Sequence, residues 1–131
     1  MANRVLVCGG RDFNDGDFIW NTLTELDGRE GPFRVIIHGA ATGADNEGMI
    51  WAQGCGRLHA PFVPDWATHG KAAGPIRNQR MIDEGKPDLV IAFPGGKGTA
   101  DMVRRARAAG VEVREIAHPS PISSDGRIAR G

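Results

Sequence analysis

Asp88–Ala109 reads DLVIAFPGGKGTADMVRRARAA, and the fold of the whole chain turns on this stretch. The run Leu89-Val90-Ile91-Ala92-Phe93 is strand-length and apolar at every position, the pattern of a parallel strand covered on both faces. Pro94 ends it, because proline has no N–H to give a ladder. Gly95-Gly96-Lys97-Gly98 follows, and from Thr99 the spacing becomes helical. Met102, Val103 and Ala106 share one face, with Arg104, Arg105 and Arg107 largely off it. Gly110 stands where a glycine closes a helix. Strand, glycine loop and helix start together aim backbone N–H groups and the positive end of a helix dipole at one place. The expected occupant is an anion, most often a phosphate. The alternative is that the glycines serve only a tight turn.

Working outward, the same unit recurs twice upstream. Arg4–Cys8 is a short apolar strand that runs into Gly9-Gly10-Arg11-Asp12-Phe13. Asn14 or Asp15 can cap the helix that follows, whose Ile19, Leu23 and Leu26 have helical spacing. Arg34–His38 is the second strand. It enters Gly39-Ala40-Ala41-Thr42-Gly43-Ala44-Asp45, where Thr42 and Asp45 have capping-box spacing, and a helix through Met49, Ile50 and Ala52 follows. A third, short strand is expected within Leu58–Val63, interrupted by Pro61. Pro64–Pro75 reads as a loop, Ile76–Glu84 as a helix and Val111–Ile116 as a last strand. The expected architecture is α/β: a Rossmann-like three-layer sandwich around a mostly parallel five-stranded sheet. It occupies 1–117, with 118–131 a flexible tail rich in Pro, Ser, Gly and Arg. Ligands of such sheets sit beyond the carboxyl ends of the strands, where the three glycine-rich loops open.

Composition narrows the function. The chain has 131 residues, enough for one core, and its 16 Lys+Arg balance 16 Asp+Glu. Zero net charge and few aromatics (five Phe, three Trp, no Tyr) make nucleic acid an unlikely partner. No apolar run approaches a membrane span, and no signal-peptide pattern opens the sequence, so a cytoplasmic protein is expected. Cys8 and Cys55 are too few for a disulfide framework. His38, His59, His69 and His118 are scattered without zinc spacing, so neither a metal nor a cofactor is expected, and each histidine reads more simply as structural. The phosphate-loop pattern of nucleotide triphosphatases is absent, as is the Gly-x-Gly-x-x-Gly of dehydrogenases.

What remains is a glycine-lined cleft carrying arginines. Arg11 lies just past the first strand, Arg77 and Arg80 near the start of the third helix, and Lys97 within the central loop. Guanidinium forks suit bidentate phosphate contacts, and Arg11 and Arg77, both at loop-to-element junctions, are read as cleft residues, whereas Arg80 could equally be a solvated surface charge. Candidate acids at the same edge are Asp12, Asp45 and Asp101. The latter two can also be helix N-terminal charges, the favoured reading for Asp45.

Four motifs in order, VLVCGGRDF, IIHGAATGAD, DWATHGKAAGPIRNQRM and FPGGKGTADMV, carry a resemblance. Pro94–Thr99 resembles the PGGxGT signature of the SLOG superfamily, which includes cytokinin-activating phosphoribohydrolases and the DNA-processing protein A. The full set, spanning Arg4–Ile116, is similar to the YspA/YpsA-related branch. The resemblance implies a Rossmann-like domain binding a nucleotide or nucleotide-derived ligand. Gly10, Arg11, Gly39, Gly43, Gly95, Gly96, Gly98 and Thr99 would line its phosphate or ribose, and Arg77 would clamp a phosphate. It also implies a catalytic pair for N-glycoside cleavage. Arg77 followed by Met81 has the spacing of the phosphoribohydrolase arginine segment. The glutamate expected three residues after the threonine is replaced by Met102, leaving Asp101 one position earlier, about 100° away around a helix. Two readings therefore stand: a sensor or accessory domain, and a hydrolase using Arg77 and Asp101. A homodimer is a further possibility, since the related enzymes are dimeric.

Overall fold

The computed structural model describes residues 2–118, so the tail expected over 118–131 lies, from 119 onward, outside the described residues. Five strands form one sheet: β1 (Arg4–Cys8), β2 (Val35–His38), β3 (Leu58–Pro61), β4 (Leu89–Ala92) and β5 (Glu112–Glu115). Every pairing is parallel and the spatial order is β3-β2-β1-β4-β5. β1 is therefore the central strand, flanked by β2 and β4, and it pairs with β4 in register from Val5↔Leu89 to Cys8↔Ala92. The chain winds one way from β1 through β3, then crosses back to β4. The crevice at a doubly wound sheet's reversal point thus opens between the loops after β1 and β4.

Alternation along the central strands sends side chains into two cores. Val5, Val7, Leu89 and Ile91 pack with Ile19, Leu23 and Leu26 of α1 (Gly16–Glu30) and with Trp51 and Ala52 of α2 (Ala44–Gly54). Leu6, Cys8, Val90 and Ala92 pack on the other face with Met81 and Ile82, and with Met102, Val103 and Ala106. The apolar run of β4 thus has one owner for each residue. It is why this strand shows no exposed face.

The structure adds two helices' worth of order to the segment read as a loop. Over Pro64–Pro75 the backbone forms α3 (Trp66–His69), a 3-10 turn (Gly70–Ala72) and the start of α4 (Ala73–Asp83). Asp65 caps α3 by accepting from the Thr68 amide at 3.1 Å. Pro75 falls in the first turn of α4, where its missing N–H has no helical partner to lose. Prolines and glycines here start helices instead of breaking them. α5 (Lys97–Ala108) begins two residues before Thr99, and Gly110 beyond its end has φ +78°, a left-handed turn that suits glycine. The buried residues of α2 are Ala44, Asp45, Gly48, Trp51 and Ala52, and Ile50 is exposed. Among the described residues no helix is long and apolar enough to cross a membrane.

Candidate functional site

Three loops meet above β1. The Gly10 amide donates to Pro94 O at 2.8 Å, and the Ala44 amide donates to Gly10 O at 3.3 Å. The Thr42 hydroxyl donates to Arg11 O at 3.2 Å. Thr42 is therefore a tie between loops and caps no helix; Gly43 holds the cap position of α2. Gly43 has φ +71°, and a Cβ there would fall onto the Gly10 and Arg11 backbone. The residue is thus an anchor behind the first loop.

These ties frame a cleft of about 1150 Å³. All the ligand residues expected from sequence line it except Gly43, whose place behind the loop keeps it off the wall. Five cations (Arg11, Lys71, Arg77, Lys97 and Arg104) face three carboxylates (Asp12, Asp45 and Asp101) in that lining. A chain of zero net charge thus concentrates positive charge at one edge. α5 starts at this cleft without a side-chain cap at Gly96, so no capping side chain occupies the N–H groups of its first turn.

Arg77 is held from several sides. Its Nη1 donates to Gly39 O at 2.6 Å, and its Nε donates to Asn78 Oδ1 at 3.0 Å. Burial lowers its pKa, the Asp45 charge opposes that shift and Arg11 adds to it. Gly39 is the gap that admits the guanidinium: a Cβ there would sit 2.5 Å from Arg77 Nη1 and 2.9 Å from Asp45 Oδ2. Arg80 sits outside the cleft, paired with Glu84 at 3.2 Å and lying over Phe62.

Asp45 is more than a helix-end charge. It is buried, and its Oδ2 accepts from the Gly39 amide at 2.8 Å. Burial raises its pKa, against the Gly39 and Ala41 amides and the charges of Arg77 and Arg11. Asp101 is buried on the α4 side. It accepts from Asn78 Nδ2 at 2.9 Å, Arg104 Nη2 at 2.5 Å and Arg105 Nε at 2.8 Å. Burial works to raise its pKa. The hydrogen bonds from Arg105 and Asn78, with both arginine charges, outweigh burial and hold the carboxyl below its ordinary range.

Sequence reasoning passed over Asn78, the residue that joins these parts. It is buried, accepts from Arg77, donates to Asp101 and donates to Gly98 O at 3.3 Å. One amide thus couples the arginine to the glycine loop. Its only sequence signal was its place beside Arg77. Among the described residues, no group of three or more His, Cys, Asp or Glu side chains is placed to hold a metal ion.

The all-parallel sheet with its reversal point and helices on both faces defines a Rossmann-like α/β domain. The chain belongs to the YspA, cpYpsA-related SLOG family, whose model matches residues 3–69. It is 37% identical over 117 residues to the Gene 61 protein of Mycobacterium phage D29, covering 84% of this chain and 93% of that protein. Among solved structures, DNA processing protein A from Streptococcus pneumoniae superposes with a TM-score of 0.69 at 19% identity, over 93% of this chain and 52% of that one. The chain thus spans about half of that protein. The Moco carrier protein from Chlamydomonas reinhardtii superposes with a TM-score of 0.57 at 18% identity, over 89% and 78% of the two chains. At such identities both likenesses speak for the fold alone.

Proposed function

We propose that the cleft binds a nucleotide or nucleotide-derived, phosphate-bearing ligand and that the protein acts as a sensor or accessory domain. The observation that carries this reading is the convergence of an uncapped helix start and a positioned guanidinium on one cleft. In this reading the amides of Gly95, Gly96, Gly98 and Thr99 hold a phosphate, as helix N-termini do. Arg77 contributes a fork whose remaining donors are pre-oriented by Gly39 and Asn78, so little side-chain entropy is lost on binding. Gly10 and the backbone of Arg11 meet the sugar side of the ligand. Gly39 leaves room for Arg77, and Gly43 acts indirectly by holding the first loop. A thermal-shift screen with nucleoside monophosphates, ADP-ribose, NAD and cyclic nucleotides tests the reading, with chromatography of each mixture for free base. A ligand that raises the melting point and survives intact is the expected result. The reading fails if nucleotides and sugar phosphates all leave the melting point unchanged.

One observation favours a second reading, N-glycoside hydrolysis. Asp101 lines the cleft as a carboxylate held ionised by burial-opposing hydrogen bonds. An ionised carboxylate suits stabilising positive charge on a sugar; it does not suit delivering a proton to a departing base. In that reading Arg77 orients the phosphate, Asp101 stabilises the sugar cation, and water supplies the proton to the departing base and the hydroxyl to the anomeric carbon. Free base appearing in proportion to protein, and vanishing in Asp101→Asn while binding persists, would establish it. Turnover unchanged in Asp101→Asn would remove Asp101 from the mechanism.

A further inference from the structure

Three tryptophans have three different surroundings. Trp51 is 1% exposed and its indole N–H donates to the Thr24 hydroxyl at 3.0 Å. Trp20 lies against Gly54 of α2. Trp66 is 49% exposed, yet it lines the cleft. A large aromatic ring half-bare inside a cleft offers a ligand an open face to stack on. Phe13, the other aromatic on this wall, is already taken. It stacks on Phe93 at 5.9 Å between centroids and meets Phe18 edge-on at 6.2 Å.

The backbone that carries Trp66 is also held in place. It opens α3, whose start is fixed by the Asp65 cap. Gly74 stands beside it, and a Cβ there would lie 3.8 Å from the edge of the indole. Above the ring is the Arg11 guanidinium, 6.0 Å from the centroid. That is the outer limit of a cation–π contact, so the arginine is loosely held there. A flat ring sandwiched between two faces needs about 7 Å, twice the ~3.5 Å contact distance. Arg11 is exposed and sits on a loop, so an outward movement of about 1 Å opens the gap.

We propose that Trp66 and Arg11 form a clasp for the flat heteroaromatic base of a nucleoside phosphate, stacking it between indole and guanidinium. The assignment rests on the binding reading above and adds to it the place and the recognition mode of the base. The base is read by its faces, so adenine and guanine bind within a few-fold of each other. Purines exceed pyrimidines because they cover more of the indole.

The test compares adenosine 5′-monophosphate with ribose 5-phosphate, which keeps the sugar phosphate and lacks the base. Affinities are measured by calorimetry on the wild type, Trp66→Ala and Trp66→Phe. Trp66→Ala is expected to weaken the nucleotide about tenfold or more, the range of a lost base–aromatic stack, and to leave ribose 5-phosphate unchanged. Trp66→Phe should recover most of the loss. The side chain is half-exposed, so folding should survive, and circular dichroism verifies it. An unchanged nucleotide affinity in Trp66→Ala overturns the clasp, as does an equal loss for both ligands. If ribose 5-phosphate binds the wild type as tightly as the nucleotide, the clasp falls and the binding reading stands. If neither binds, the clasp falls, and the wider thermal-shift panel decides the binding reading separately.

Discussion

Arg77 bridges to its surroundings through neutral oxygens, Gly39 O and Asn78 Oδ1, and keeps its charge unpaired by direct contact with a carboxylate. A guanidinium so placed is oriented without being neutralised, which is what an anion site requires. Arg77→Ala is therefore expected to cut ligand affinity by about 10- to 100-fold, the value of one charged hydrogen-bonding group. Arg77→Lys should rescue little, since a lysine presents a point charge and no fork. Calorimetry on the two variants checks both statements. Gly39→Ala makes a complementary prediction. Its Cβ meets the ends of two side chains, the Arg77 guanidinium and the Asp45 carboxylate, so the cost to the fold is a local shift of both. The displaced guanidinium should cost affinity, and a variant that melts near wild type but binds weakly is the expected outcome. Unchanged binding would show that Arg77 needs no such gap. Gly39 and Arg77 were both legible in the sequence, one as a glycine past a strand and the other as an arginine near a helix start. Their contact was not, because 38 positions separate them and only the fold brings them together.

At the scale of elements, α4 and α5 are joined at the cleft by Asn78. Its amide reaches Gly98 O and Asp101 of α5 while its oxygen orders Arg77 within α4. Asn78→Ala removes a buried donor and acceptor at once, and is expected to cost about 1–3 kcal/mol of stability. It should also weaken ligand binding, because the arginine and the loop lose their shared strut. Urea unfolding and calorimetry on one preparation test the pair of effects. A loss of stability with unchanged affinity would reduce Asn78 to a core residue. The strand β4 and the presence of α5 after a glycine loop could be read from sequence because an unbroken apolar run and a glycine loop are local signals. α3 could not. Its four residues have no room for a helical period, and Gly70, Gly74 and Pro75 signal turns when read locally. The capping contact of Asp65 and the first-turn position of Pro75 are what make those residues helical. The cap expected at Thr42 failed for a related reason. The hydroxyl bonds to Arg11 O in another loop, and Asp45 turns back to Gly39.

At the scale of the whole molecule, the parallel pattern of the strands was plain in the sequence, whereas their order rests on long-range packing. Stability against acid is a property of the same scale. His38 is buried and its pKa is pushed down to about 4 by that burial and by the neighbouring His59. Its Nδ1 accepts from the Ala40 amide at 3.1 Å, so the other nitrogen carries the proton and faces His59 at 3.1 Å. The unfolded chain takes up this proton near the ordinary value of 6.5 and the native chain does not. Stability is therefore full above 6.5 and falls as pH drops toward 4, by about 3 kcal/mol in all. Asp27, lowered first by its hydrogen bond from Arg57, extends the loss to more acid pH. Asp45, raised by burial, acts in the opposite sense over its own range. Melting curves from pH 7 to 4.5 should show a steady decline, and histidine titration by NMR should find the His38 imidazole still neutral at pH 5. A flat melting profile, with every histidine titrating near 6.5, would contradict the burial of His38.

The central claim, that the cleft is a nucleotide-phosphate site, has one most direct measurement. The wild type and Arg77→Ala are heated side by side with a panel of nucleoside monophosphates, each at high excess. A ligand at about 100 times its Kd adds about 2.7 kcal/mol, a rise of several degrees for a domain of this size. The account predicts that rise for at least one nucleotide in the wild type and its loss in the variant. No rise with any nucleotide, or an equal rise in both proteins, would contradict it.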